Sequence, residues 1–557
     1  MSRTLFWYIF ADLFKVFMMT SGALAGIMSF GGMLKPLMQG GLNAAQVVEI
    51  LGYLSPAMSA YSFPIAALFA CTVVYGRLSA DNEIVAARAG GISHLALAVP
   101  AIVLGLTVAI TSMLFLCFVV PNFTLRVEKV IYSNIAQIVA SQIEKNHQIE
   151  LDRENKVSVY AERAEVLEPR ADGREQRLVL VGPMIVRYGV APHDPRLRVP
   201  LEFFTARQAN VFIRQDAGDD QIQFSFTLEE GMRLPRAAAG QMLAGVSASE
   251  FGPIPRDAMI KENTKFMVLE DLKRQYERPW TSNRVNKMLS GFISEDQQIA
   301  MAKALQDELQ RVGRITFAGD AEAYELSAAN GTTVTNRGSD VVLTSPGDEQ
   351  SITVAQTAGA PEPLTARSRQ VRVRSWPLSD GKSMLVEMRM ENLTMTIGGD
   401  ATTGNALERT VIVPMPQAVA AIEQNRRRPD LYAGRDESAS KNQKNLGRAL
   451  VVLRHDIIAE LHSRSAFAIS CFVLVIVGCA MGMIFKSGNF LTAFAISFVP
   501  AMICITLIIA GQRTAGNVPW TFWDASGALR TGITLIWSGV TLTGLLGAGM
   551  LWKLQRT

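Results

Sequence analysis

Six stretches of this chain run for about twenty residues or more without a charge in their cores: Val16–Leu34, Ile50–Gly76, Leu95–Val120, Ser465–Phe485, Ser487–Gln512 and Thr531–Trp552. A helix rises 1.5 Å per residue, so about 20 apolar residues cross roughly 30 Å of hydrocarbon. The pattern therefore predicts three membrane-spanning helices at each end of the chain. Leu5–Phe14 precedes the first run and carries Trp7 and Tyr8, residues that suit a membrane–water interface. Pro56, Pro64, Pro100 and Pro500 sit where they can kink their spans. Gly22, Gly26, Gly544, Gly547 and Gly549 are positioned to let helices approach closely.

Residues 122–464 between the two membrane halves (1–121 and 465–557) follow a different pattern. Val127–Lys145 reads as a helix continuing from the third span. Alternating, β-branched segments follow at Lys156–Val166, Arg177–Tyr188, Phe203–Arg214 and Gln221–Leu228. Turn sequences at 170–173 and 216–219 separate some of them. This first β-block, about 150–230, predicts an antiparallel sandwich or jelly roll. Helical sequence over about 265–312 leads to a second strand-rich block at 314–413, with segments at Val334–Thr344, Gln370–Ser375 and Met384–Ile397. Polar residues 426–445 read as a flexible connection, and a lead-in helix at about 445–463 runs into the fourth span. The expected fold class is an α-helical membrane protein, 3+3, with an inserted all-β, jelly-roll-like domain. No repeat is evident in the residues, although two β-blocks, each followed by a helix, raise the possibility of duplication.

Composition changes this picture little. The 557 residues are 49% hydrophobic with a mean hydropathy of +0.19, an average that hides apolar ends and a polar middle. A net charge of +4, with no basic stripe interleaved with aromatics, argues against a nucleic-acid partner. Charge distribution is more informative. Arg3, Lys15, Arg77, Arg88, Lys486, Lys553 and Arg556 fall on one side of the membrane, and Lys35, Arg513 and Arg530 on the other. Cytoplasmic loops hold the excess of Lys and Arg, so the middle domain is expected outside the cytoplasm, in a periplasm. All five cysteines lie in hydrophobic runs, so the middle contains no disulfide.

The chemistry-bearing motifs are mostly absent. Gly381-Lys382-Ser383 resembles the end of a phosphate-binding loop, but Trp376 stands where its first glycine is needed. The tripeptide reads as a turn, and any ATP must be bound by another chain. No HExxH, GxSxG or Cys/His zinc spacing occurs, so no catalytic residue, metal site or cofactor is expected. Arg454-His455-Asp456 to Glu460-Leu461-His462 places polar groups on one helix, read as solvated and headgroup-facing charge ahead of a metal or proton site. The uncharged spans argue against ion coupling.

The segment from Gly76 to Ser93, between the second and third spans, stands out. It reads as a short helix over about 77–93, N-capped by Ser79, with Asp81 and Glu83 near its positive end and Gly90-Gly91 ending it. Its surface is small and apolar, with Glu83 and Arg88 projecting. Such a surface suits a groove on a cytoplasmic partner, or equally a helix lying on the membrane.

At this loop the sequence resembles the LptF/LptG permeases, the membrane subunits of the lipopolysaccharide-exporting ABC transporter. The matching pieces are Gly76-Arg-Leu-Ser-Ala-Asp-Asn-Glu-Ile84, Arg88–Ser93, Pro56, Phe63-Pro64-Ile65 and Glu460–Arg464, together with the 3+3 layout. The resemblance implies pairing with a second LptF/LptG-like permease over a dimer of LptB-type ATPases. It assigns Glu83 to contact the ATPase, with Arg77, Asp81 and Arg88 beside it as further coupling candidates. It implies transfer of lipopolysaccharide to LptC/LptA-like bridge proteins by strand addition. Lys35 is then the candidate contact for lipid phosphates, ahead of Arg513 and Arg530. The block at 314–413 exceeds the family pattern and reads as an insertion. Two other readings compete: a lipoprotein-release or FtsX-like permease, whose large domain sits between spans one and two, and a non-transporting membrane scaffold.

Overall fold

A backbone crossing hydrocarbon must satisfy its own polar groups, and a helix does so within one segment. The computed structural model accordingly turns each apolar run into a long helix. It describes the chain apart from residues 1–2, 40–43, 153–156, 168–174, 192–193, 216–220, 236–244, 258–262, 320–321, 330, 347–349, 360–363, 379–380, 398–399, 435–438, 486–489, 519–524 and 557. The turns expected at 170–173 and 216–219, and Lys486, lie outside the described residues. Six described helices are long and apolar enough to cross a membrane. The chain forms two compact units, residues 1–276 with 452–557, and residues 277–451.

The first unit opens with α1 (Arg3–Gln39), α2 (Ala44–Ala80), α3 (Glu83–Ala89), α4 (His94–Leu114), a π-helical turn at Phe115–Val119, α5 (Val120–Ser133) and α6 (Ile135–Asn146). The helix expected over Val127–Lys145 is thus two helices, broken at Asn134. The first sheet is antiparallel: β1 (Gln148–Asp152), β2 (Val157–Tyr160), β3 (Arg163–Leu167), β4 (Glu175–Val181), β5 (Met184–Ala191), β6 (Asp194–Thr205), β7 (Gln208–Gln215), β8 (Gln221–Pro235) and β9 (Gly245–Asp257). Its order is β1-β2-β5-β6-β8-β7-β4-β3, with β9 on the other edge of β8. β8 is long enough to pair with β7 along its first half and β6 along its second. Alternate residues Ile222, Phe224, Phe226 and Leu228 point into a core closed by Ile135, Val139 and Ile143 of α6. The β-block expected at about 150–230 extends to Asp257: β9, with Gly252, Pro253 and Pro255, pairs with β8 at the edge of the described sheet, and an edge strand tolerates proline.

A 3₁₀ turn at Thr264–Phe266 and α7 (Leu269–Glu277) complete this part of the chain. The second unit begins with α8 (Asn283–Val312). Its sheet comprises β10 (Arg314–Ala318), β11 (Ala323–Ala328), β12 (Thr333–Arg337), β13 (Asp340–Thr344), β14 (Ile352–Ala358), β15 (Thr365–Pro377), β16 (Ser383–Ile397) and β17 (Asp400–Pro414). The strand-rich segment Val334–Thr344 is a hairpin. Its two-residue turn, Gly338-Ser339, places Gly338 at φ 75°, which a two-residue hairpin loop of this kind demands. Gly381, at φ 65°, turns the chain between β15 and β16, as expected of the Gly-Lys-Ser tripeptide. Met301, Leu305 and Leu309 of α8 fill the core beneath Met384, Val386, Met388 and Met390.

After β17 come α9 (Gln417–Ala420) and 3₁₀ turns at 421–427 and 429–431. Part of the expected flexible connection is ordered: Arg426 donates to Asn286 and Ser290, and Tyr432 donates to Asp296 at 2.6 Å. The chain then enters α10 (Lys441–Ile484), α11 (Phe490–Gly516) and α12 (Ala525–Arg556). The lead-in helix and the fourth span are therefore one element.

Among the spans, α2 and α10 are the inner pair, with 67% and 78% of their most apolar windows buried against 28% for α1, α11 and α12. Small residues set their separation. A Cβ added at Gly478 would lie 2.7 Å from the Leu68 carbonyl, and one at Gly482 would lie 2.8 Å from the Tyr75 Cβ. The glycines picked out from the sequence behave differently. Only Gly544 and Gly547 face a neighbouring helix, while a Cβ at Gly22, Gly26 or Gly549 would meet no atom within 4 Å.

Candidate functional site: a docked loop helix and a buried polar node

The loop between the second and third spans is anchored before it is exposed. α2 continues to Ala80, so Ser79 lies inside it, buried, with its hydroxyl 3.4 Å from the Met483 carbonyl. Ser79 is not the N-cap. Asn82 holds that position in a left-handed conformation (φ 58°), without a side-chain cap. The helix is shorter than the expected 77–93, spanning Glu83–Ala89, with Gly90 as its C-cap and Gly91 at φ 82° after it. Ile84 is buried in the membrane-helix core, and Ala87 and Ile92 pack against that core. This leaves Glu83, Val85, Ala86, Arg88 and Ala89 exposed, with Asp81 beside them. Arg77 is committed elsewhere: its guanidinium pairs with Asp12 of α1. The loop thus presents one short face of small and apolar residues bracketed by an acid and a base.

In the second cluster, Arg454–His462, Arg454 is exposed as expected, but Glu460 is not, and Arg464 follows it into the interior. Glu460 and Arg464 are only 6% and 2% exposed, neither solvated nor facing headgroups. Arg464 Nε donates to Glu460 Oε1 at 2.8 Å, and Gln512 Nε2 of α11 donates to Glu460 Oε2 at 2.7 Å. Arg464 Nη2 donates to the carbonyls of Thr264, Lys265 and Met267 at 2.9–3.3 Å. Phe266, in the same turn, packs with Ala57, Ala60, Leu116 and Val120. The turn after the first sheet is thereby fixed to spans two, three and four. Further along α10, His455 Nδ1 lies 3.1 Å from the Ala515 carbonyl, and Trp537 Nε1 donates to His462 Nδ1 at 3.3 Å. These polar groups join α10 to α11 and α12 alongside an apolar seam that includes Ala459, Val473, Ile508 and Ile536. No cluster of metal-ligating side chains occurs among the described residues. The available signal was the i, i+4 spacing of Glu460 and Arg464 beside a span, since opposite charges one turn apart can offset each other's desolvation when the helix is buried.

The candidate lipid contacts are spread over several elements. Lys35 lies near the end of α1, Arg513 in the last turn of α11 and Arg530 early in α12; Arg513 and Arg530 are exposed. Alternation of the six helices puts all three at the same membrane side. Apolar residues are exposed along α1 and α11, among them Ile27, Phe30, Ile496, Val499 and Ile503.

The family model for the lipopolysaccharide export system permease LptF/LptG matches residues 7–172 and 374–545, about three fifths of the chain. The chain belongs to this family. Most of both membrane halves, α3, and Glu460 and Arg464 of α10 fall within the matched residues. It is a multi-pass membrane protein, a transporter component rather than an enzyme. Compared with curated proteins, the chain matches none.

Proposed function

We propose that this LptF/LptG-family chain is one membrane subunit of an ATP-driven exporter that takes lipopolysaccharide, or a related lipid, from the bacterial inner membrane. The ATPase is a separate LptB-type dimer, and a second permease of the same family completes the membrane part. The first β-sheet lies in the periplasm and hands the lipid to LptC/LptA-like bridge proteins. The observation carrying this reading is α3: Ile84 roots it in the spans, so that force applied to its exposed face reaches α2 and α4. Glu83, Asp81 and Arg88 are assigned to the ATPase contact, and Arg77 supports the loop from behind through Asp12. The exposed apolar flanks of α1 and α11 suit lipid or a partner permease, with Lys35, Arg513 and Arg530 as cations for lipid phosphates. An FtsX-like arrangement is disfavoured because only residues 40–43 separate α1 from α2.

The test is co-purification of the P-loop ATPase with the full-length chain in detergent. Glu83→Lys places like charge against a surface matched to an acid and is expected to cut ATPase recovery by at least about tenfold. Full recovery with Glu83→Lys would remove that residue from the interface.

A further inference from the structure

The two β-sheets have the same connectivity. Read from the far end, the second sheet runs β12-β13-β15-β14-β11-β10, with β16 on the other edge of β15. The first contains β5-β6-β8-β7-β4-β3, with β9 on the other edge of β8. Each strand from β10 to β16 therefore has a counterpart seven places earlier. The likeness extends to detail: β15, like β8, is a long strand shared between two shorter ones on one edge. The family match agrees with this, because it takes β1–β3 from the first sheet and resumes at residue 374, inside β15 of the second. A single β-module aligned to two in tandem gives that outcome.

The copies differ at one edge. In the first sheet, β5 is covered by β2, which pairs antiparallel over Val157–Tyr160 and is backed by β1. The counterpart of β5 is β12, and among the described residues no strand covers its outer edge. Four of its five residues are exposed. Because Arg337 and Asp340 close the hairpin, antiparallel alternation turns the backbone N–H and C=O groups of Val334 and Asn336 outward. The strand has no proline, no bulge and no lysine, the usual protections of an edge.

Charge says what belongs there. On the face away from the core, one row crosses the sheet as Arg337, Asp340, Arg374 and Glu387, alternating in sign. Asp340 is taken by Arg374, which donates from Nε and Nη2 at 2.8 Å. Arg337 ends the row at the open edge, so the next position of an added strand calls for an acid. On the other face, Val334 packs on the core and calls for an apolar neighbour.

We propose that β12 is a strand-addition site, occupied by an antiparallel strand of a partner protein carrying an acidic residue opposite Arg337. This strand takes the place that β2 fills in the first sheet. Four residues suffice there, so the five of β12 are long enough.

The test uses the full-length chain in its native membrane, with a photo-crosslinking residue at Thr335 and a control at Thr394, on the same face but away from this edge. The crosslinked peptide is sequenced by mass spectrometry. The expected result is an adduct at Thr335 only, within an extended, acid-bearing segment of another protein. Asn336→Pro removes an outward N–H without touching the β12–β13 ladder and should lower the yield at least about tenfold. Arg337→Glu, at the exposed end of the hairpin, should lower it too, with recovery when the partner's acid is changed to lysine. Absence of an adduct, indifference to both substitutions, or an adduct to a second copy of this chain each overturns the proposal. The outcome is independent of ATPase recovery, so this inference and the exporter reading fail separately.

Discussion

Arg464 shows how a single residue changes meaning on folding. In the sequence it is the last charge before an apolar run. In the structure it sits against Glu460 and gathers three backbone carbonyls of residues 264–267. Removing one member of a buried pair leaves the other charge uncompensated, which costs about 3–5 kcal/mol. Arg464→Met should therefore lower the melting temperature of the detergent-solubilised protein. The double variant Glu460→Gln/Arg464→Met should recover part of the loss. Equal melting of the single and double variants would mean that Glu460 is not held as a buried carboxylate. Tyr432 is a second case, in the other unit. Burial, followed by its hydrogen bond to Asp296, raises its phenol from about 10 to about 12. A pKa raised by folding contributes stability that is complete below pH 10 and lost as pH climbs to 12, on the order of 1–3 kcal/mol. A urea titration following Trp376 should show a smaller fall in midpoint from pH 9 to pH 11.5 for Tyr432→Phe than for the natural chain. An identical fall in both would exclude Tyr432 as the titrating group.

At the scale of elements, helix contacts depend on which glycines meet a neighbour. A Cβ at Gly511 would stand 2.5 Å from the Gly532 carbonyl, and one at Gly532 would stand 2.6 Å from the Ala515 Cβ. The α11–α12 hairpin is therefore sensitive to methyl-sized additions. Gly511→Val should cost roughly 1–3 kcal/mol and reduce the yield of folded protein. Gly549→Ala, with open space around it, should leave yield and melting unchanged. A Gly511→Val protein with natural yield and melting would contradict this packing. Sequence spacing alone did not separate these glycines, because a small residue marks a close approach only if another backbone is there. The loop helix teaches the same lesson about boundaries. Ser79 has the side chain of a cap, but Tyr75, Leu78 and Ser79 are buried against the other spans. That packing carries α2 through to Ala80, and the turn falls at Asn82 instead.

For the whole molecule, two compact units share one chain, and each has a sheet core of its own. The apolar runs determined six spans in a 3+3 order, because hydrocarbon length acts locally along the chain. The position of Glu83 on a short exposed helix was legible for the same reason. Tertiary structure decided the rest. Pattern reading raised a duplication but could not give the recurrence of one strand order in both sheets, since pairing partners lie far apart in sequence and alternation does not say which strand meets which. The burial of Glu460 and Arg464, the diversion of Arg77 to Asp12 and the open edge of β12 likewise depend on neighbours brought in from distant segments. A residue's own chemistry sets what it can bind, and only packing decides whether its partner is water, another helix or a strand still to come.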